Sequence, residues 1–155
     1  MSAHHTRRAE NVVELADGIV EGKAWPLVPD AEYLATYQGH DCVELAQFRK
    51  APKVFVRFKL YGAGEHTGKV LFRAYRVRRR IDGKRFVVGP KSHLLKMVCR
   101  VVNHRTRPDR VSLRELKHHL LRIRTRTVTK DADQRDLPAV LRYAVVADVL
   151  GRETA

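Results

Sequence analysis

The sequence has no long apolar run. Nothing in it approaches the roughly 18 residues that a membrane span needs, so a membrane partner is not expected. It begins MSAHHTRRAENVVELADG, which has none of the apolar core of an export signal. Cysteine is scarce, with only Cys42 and Cys99. Without an export signal, both are expected to be reduced core thiols of a cytoplasmic protein. Carboxylates are thin in the middle of the chain: residues 51–127 hold only Glu65, Asp82, Asp109 and Glu115. No pair has a nuclease spacing and no Ser/His/Asp arrangement is visible, so an enzyme is not expected. Neither cysteine has a neighbour at zinc spacing. His4 and His5 are a bare pair, and on a helix the adjacent His118 and His119 point to different faces. No metal and no cofactor is expected.

One motif is present only in outline. GAGEHTGK suggests a phosphate loop, but Gly62 and Gly68 are separated by five residues where the motif needs four. Val70 stands where the magnesium-binding Ser or Thr belongs, and the stretch joins two strands instead of a strand and a helix. Nucleotide hydrolysis is excluded on those grounds.

What the chain has in excess is positive charge. Its 155 residues carry 31 Lys plus Arg against 17 Asp plus Glu, a formal net charge of +14. Residues 1–50 hold 5 basic and 8 acidic side chains, residues 51–127 hold 22 and 4, and residues 128–155 hold 4 and 5. The charge therefore sits in the part predicted to fold and not in a tail, which points to a polyanionic partner. A hydrophobic fraction of 44% is ordinary for a globular chain of one domain. The expected organisation is an N-terminal arm over 1–28, one domain over 29–151 and a short tail over 152–155.

Period-two alternation predicts a strand over Glu32–Glu44, with Gly39 as a bulge or bend. A second strand carries Val54, Val56, Phe58 and Leu60 on one face and Phe55, Arg57, Lys59 and Tyr61 on the other. A third runs from Lys69 to about Val77, with Lys69, Leu71, Arg73 and Tyr75 on one side. RRRIDGKRF reads as a tight hairpin around Asp82-Gly83. Ser92 reads as the N-cap of a helix carrying Leu94, Leu95, Val98, Val101 and Val102. Ser112 and Glu115 fit a capping box that starts a short second helix. Leu121–Lys130 and Leu137–Leu150 then read as two further strands. The fold expected is mainly β within the α+β class. It is a five-stranded OB-like Greek-key barrel, with a helix between strands three and four and a short second helix.

Three clusters are candidate binding residues. If strands two and three pair, Phe55, Arg57, Lys59 and Tyr61 are expected to join Lys69, Arg73 and Tyr75 in one patch. A single-stranded nucleic acid suits such a patch, since bases stack on rings and phosphates take Lys and Arg. Arg122, Arg124 and Arg126, continued by Lys130, form a second stripe that could follow a phosphate backbone. Arg76, Arg78, Arg79, Arg80, Lys84 and Arg85 form a basic hairpin tip.

The early strand with Gly39, then VFVRF, a glycine turn, LFRAYRV, a helix and a final Arg-rich hairpin ending YAVV resembles small OB-fold single-stranded DNA-binding proteins of phages and mobile elements. The resemblance covers residues 30–150. It implies a barrel whose aromatics stack bases, often an oligomer, acting in replication, recombination or transfer of a mobile element. Phe55, Tyr61 and Tyr75 would be its stacking residues. Arg57, Lys59, Arg73, Arg122 and Arg124 would be its phosphate contacts. The expected partner is single-stranded DNA. RNA binding and a non-catalytic assembly factor docking an acidic protein are the alternatives, with a nuclease accessory behind them.

Overall fold

A computed structural model describes residues 25–43, 52–62, 64–79, 86–102 and 112–153. Five strands make one antiparallel sheet: β1 (Glu32–Val43), β2 (Lys53–Tyr61), β3 (Val70–Arg76), β6 (Leu121–Val128) and β7 (Tyr143–Arg152). Their order is β3-β2-β1-β6-β7. A separate two-stranded ribbon pairs β4 (Arg78–Arg79) with β5 (Phe86–Val87). One α-helix, α1 (His93–Val102), and two short 3-10 helices, Leu113–His118 and Ala139–Leu141, complete the described elements. The class is α+β.

Alternation explains the sheet. Val54, Val56, Phe58 and Leu60 of β2, Leu71 and Tyr75 of β3, Leu121 and Ile123 of β6, and Val146 and Val149 of β7 all point to one buried face. Helix α1 closes that face against β7 and β3 with Leu94, Met97, Val98 and Val101. Ser92 starts the helix, its Oγ accepting from the Leu95 N–H at 3.4 Å. Leu116 of the first 3-10 helix fills the gap beside β1. Gly39 bulges β1, with φ at +131° and the β1–β2 register shifting between Tyr37 and Gly39.

The barrel expectation is wrong. β3 and β7 are the free edges of the sheet, and no ladder joins them. The sheet curls so that these edges face each other, and other groups fill the seam. The Ala144 N–H of β7 donates to the Pro26 carbonyl at 2.9 Å, and Lys69 Nζ reaches the Leu27 carbonyl at 3.4 Å. Farther along, the Arg73 guanidinium of β3 donates to the Ala147 carbonyl of β7. A short lead-in and one arginine thus cover edge groups that a closed barrel would satisfy with backbone pairs.

Smaller expectations also give way. Ser112 makes no side-chain cap bond, and the segment it opens is a 3-10 helix. β7 begins at Tyr143, six residues after the predicted start, because Pro138 and the Ala139–Leu141 turn precede it. Cys42 and Cys99 are exposed and not core residues. The predicted Asp82-Gly83 turn lies outside the described residues.

Candidate functional site: an aromatic face at the seam

The first predicted patch does not assemble. Residues paired across a ladder share a face, and β2 pairs with β3 as Phe55↔Ala74, Arg57↔Phe72 and Lys59↔Val70. Phe55, Arg57 and Lys59 therefore share the outer face with Phe72. Arg73 and Tyr75 lie opposite Val56 and Val54, on the core side. Tyr75 is only 3% exposed, and its hydroxyl has no hydrogen-bond partner among the described residues. Burial pushes its phenol up to about 12, against a partial pull downward from Arg73. It cannot stack a base. Arg73 lies over the Tyr75 ring, 4.9 Å from its centroid, and faces Asp148 at 3.6 Å. Arg100 of α1 meets the same Asp148 at 3.2 Å and donates to the Val149 carbonyl at 2.7 Å.

The second stripe exists as a row, with two of its four cations neutralised. Arg122, Arg124 and Arg126 point outward from β6. Arg122 is paired with Glu153 at 2.7 Å and Arg124 with Glu32 at 3.5 Å. Arg126 has no ion pair among the described residues, and Lys130 forms a backbone bridge with Asp136. Of the third cluster, Arg76 and Arg78 are exposed on β3 and the small ribbon. Arg80, Lys84, Arg85 and the Arg79 side chain lie outside the described residues. Lys69 is tied to His66 Nδ1 at 3.0 Å. Tyr61 is exposed at the end of β2, apart from the rings described next.

The structure assembles instead a cluster that no local pattern announced. Trp25 of the lead-in, Phe55, Phe72 and Tyr143 meet on the outer face across the seam. The Trp25 and Phe72 centroids are 5.3 Å apart, Phe55 and Phe72 are 5.4 Å apart, and Trp25 and Tyr143 are 5.8 Å apart. Trp25 is held there because the lead-in is pinned to β6. Buried Thr125 Oγ1 accepts from the Ala31 N–H at 3.1 Å and donates to the Pro29 carbonyl at 3.0 Å. Trp25 nevertheless stays 60% exposed. Beside Tyr143, Val140 and Leu141 project from the β6–β7 turn at 85% and 58% exposure. That turn is braced: Leu137 N–H donates to the Thr129 carbonyl at 2.7 Å, and Asp131 Oδ1 accepts from the amides of Asp133 and Arg135.

Two depressions flank Phe72. One, of about 230 Å³, lies between Trp25, Phe55, Val70 and Phe72, with Arg57 and Asp41 at its rim. The other, of about 440 Å³, runs along the seam past Arg73, Arg126 and Tyr143. Arg57 is ion-paired with Asp41. Nearby, the Tyr37 hydroxyl is hydrogen-bonded to His40 Nδ1. Burial holds His40 below the usual histidine range, helped by Arg114 and Arg57.

Among the described residues no group of three or more His, Cys, Asp or Glu side chains is placed to hold a metal ion. No described helix is long and apolar enough to cross a membrane. The single-stranded DNA reading, with RNA beside it, rested on a closed barrel and an open patch of rings and cations. The open sheet, buried Tyr75 and ion-paired Arg57, Arg73, Arg122 and Arg124 overturn it, and with it the resemblance. No family model, curated protein or solved structure matches this chain.

Proposed function

We propose that the chain is a non-catalytic docking module of the cytoplasm that binds an acidic partner protein through the aromatic face at the seam. The observation that carries this reading is the cluster of Trp25, Phe55, Phe72 and Tyr143, continued by the projecting Val140 and Leu141. Monomeric surfaces seldom leave large apolar side chains contiguous, and rings with arginine are the residue types that dominate protein interfaces. Cations surround the face. Lys59 stands opposite Val70 in the ladder, and Arg126 lines the seam. With a net charge of +14, the chain draws in acidic surfaces and repels basic ones.

The test uses a defined polymer. A labelled random Glu–Tyr copolymer is titrated with the full chain, beside poly-Glu, a Lys–Tyr copolymer and oligo-dT. The expected result is that Glu–Tyr binds tightest and that Trp25→Ala weakens it several-fold. Equal binding of poly-Glu and Glu–Tyr would reduce the interaction to plain charge and defeat the reading. Tighter binding of oligo-dT would defeat it as well.

A further inference from the structure

The pocket beside Trp25 has walls of a particular kind. Phe72 is tilted 57° to Trp25 and 55° to Phe55, so the three rings offer faces and edges at angles to one another. Aromatic rings pack in such offset and edge-on arrangements, and an inserted ring meets complementary charge on each wall. The volume of about 230 Å³ falls below the ~300–1,000 Å³ usual for small-molecule sites. It suits one side chain.

The rim adds a second feature. The Arg57 guanidinium is planar and has two neighbours that bias its position. Asp41 pairs with its guanidinium, which lies over Gly39: a Cβ there would stand 2.8 Å from Arg57 Nη2, so the arginine tip would have to move aside. The guanidinium thus lines the aromatic pocket, where it can lie against a ring entering from outside. Among the described residues the pocket is lined by one carboxylate, Asp41, which Arg57 neutralises. Lys59, exposed and without an ion pair among the described residues, stands beside Val70 on the same face.

We infer that this pocket receives an aromatic side chain of the acidic partner, with carboxylates flanking that ring in the partner's sequence. The inference rests on the docking reading above and adds the identity of the anchor. Trp25 is the only tryptophan in the chain, so its emission reports directly on occupancy.

The test is a fluorescence titration of the full chain with blocked pentapeptides, each with two glutamates on either side of a central residue. A central phenylalanine should shift Trp25 emission saturably and bind at least several-fold tighter than leucine and more than tenfold tighter than alanine. Val70→Glu, at a partly exposed wall position, should abolish the shift while leaving circular dichroism unchanged. Arg57→Lys should weaken the phenylalanine peptide several-fold although the charge is kept. If the Glu–Tyr copolymer binds but phenylalanine and leucine peptides bind equally, the aromatic anchor is wrong and the docking reading stands. If neither copolymer nor peptide binds, the docking reading falls too.

Discussion

Tyr75→Phe should stabilise the protein, and the gain should grow in alkali. The Tyr75 side chain sits at 3% exposure with no partner for its hydroxyl among the described residues. An unsatisfied buried hydroxyl costs about 1–3 kcal/mol, so deleting it should raise stability by roughly that amount at neutral pH. The ionisation works in the same direction. Burial raises the phenol from its ordinary 10.0 to about 12 in the folded state. A group whose folded pKa is raised contributes its full stability below the unfolded pKa and loses it as pH climbs toward the folded one. The window is therefore the interval between those two values. A shift of about two pH units corresponds to roughly 3 kcal/mol lost across it. Urea unfolding followed by far-UV circular dichroism, at steps from about pH 8 to about pH 12, measures both effects. Lysine and arginine titrations are common to the two proteins and cancel in the difference. The gap between variant and parent should start at about 1–3 kcal/mol and widen by up to about 3 kcal/mol. A gap that stays flat would mean that the phenol ionises as freely folded as unfolded. A variant less stable at neutral pH would mean that the hydroxyl has a partner, such as a buried water. Either result refutes the reasoning.

Two further substitutions test the frame around the aromatic face. Gly39→Ala places a side chain at φ +131° and should cost about 1–3 kcal/mol in chemical denaturation, while displacing Arg57 from the pocket mouth. Thr125→Val keeps the shape but strands the Ala31 N–H and the Pro29 carbonyl. It should cost about 1–3 kcal/mol and shift Trp25 emission to the red, because the lead-in that seats the indole loses its side-chain bonds to β6 and keeps only the backbone bond from Thr125 to Ala31 and the Thr127–Asp30 contact there.

The strands were legible because each alternates cleanly. In β2, Val54, Val56, Phe58 and Leu60 are buried while Phe55, Arg57 and Lys59 point outward, as period two requires. The helix was legible from Ser92 and the spacing of Leu94, Leu95, Val98 and Val101. Gly39 was legible as a bulge because a lone glycine inside a strand pattern has few other uses. What failed was the relation between strands. Which face of β3 joins which face of β2 depends on the register across the glycine turn, and a slip of one residue exchanges every side chain. The turn pairs Lys59 with Val70, so Phe72 joined Phe55 and Arg57, while Tyr75 went to the core. Nothing in either strand alone carries that information. The ion pairs that quench Arg122 and Arg124 come from Glu153 and Glu32, far away in sequence and equally silent in a local reading.

Closure failed to appear for a related reason. Whether five strands close into a barrel depends on their tilt and stagger together, and a seam is a property of two edges separated by some seventy residues. Here the seam is covered piecemeal. The Pro26 carbonyl takes the Ala144 amide, and the Arg73 guanidinium takes the Ala147 carbonyl. That solution has a consequence that a ladder would lack. A backbone ladder leaves the outer face to the strands alone, whereas a lead-in laid along the edge brings Trp25 onto Phe72 and Tyr143. The segment that protects the edge also builds the aromatic face. The mixed outer side of β2, with Phe55 beside Arg57 and Lys59, is then intelligible: it is one wall of a surface whose other wall arrives from the opposite edge of the sheet. Protection of the seam and presentation of the rings are one structural act, and a substitution that loosens Thr125 should disturb both together.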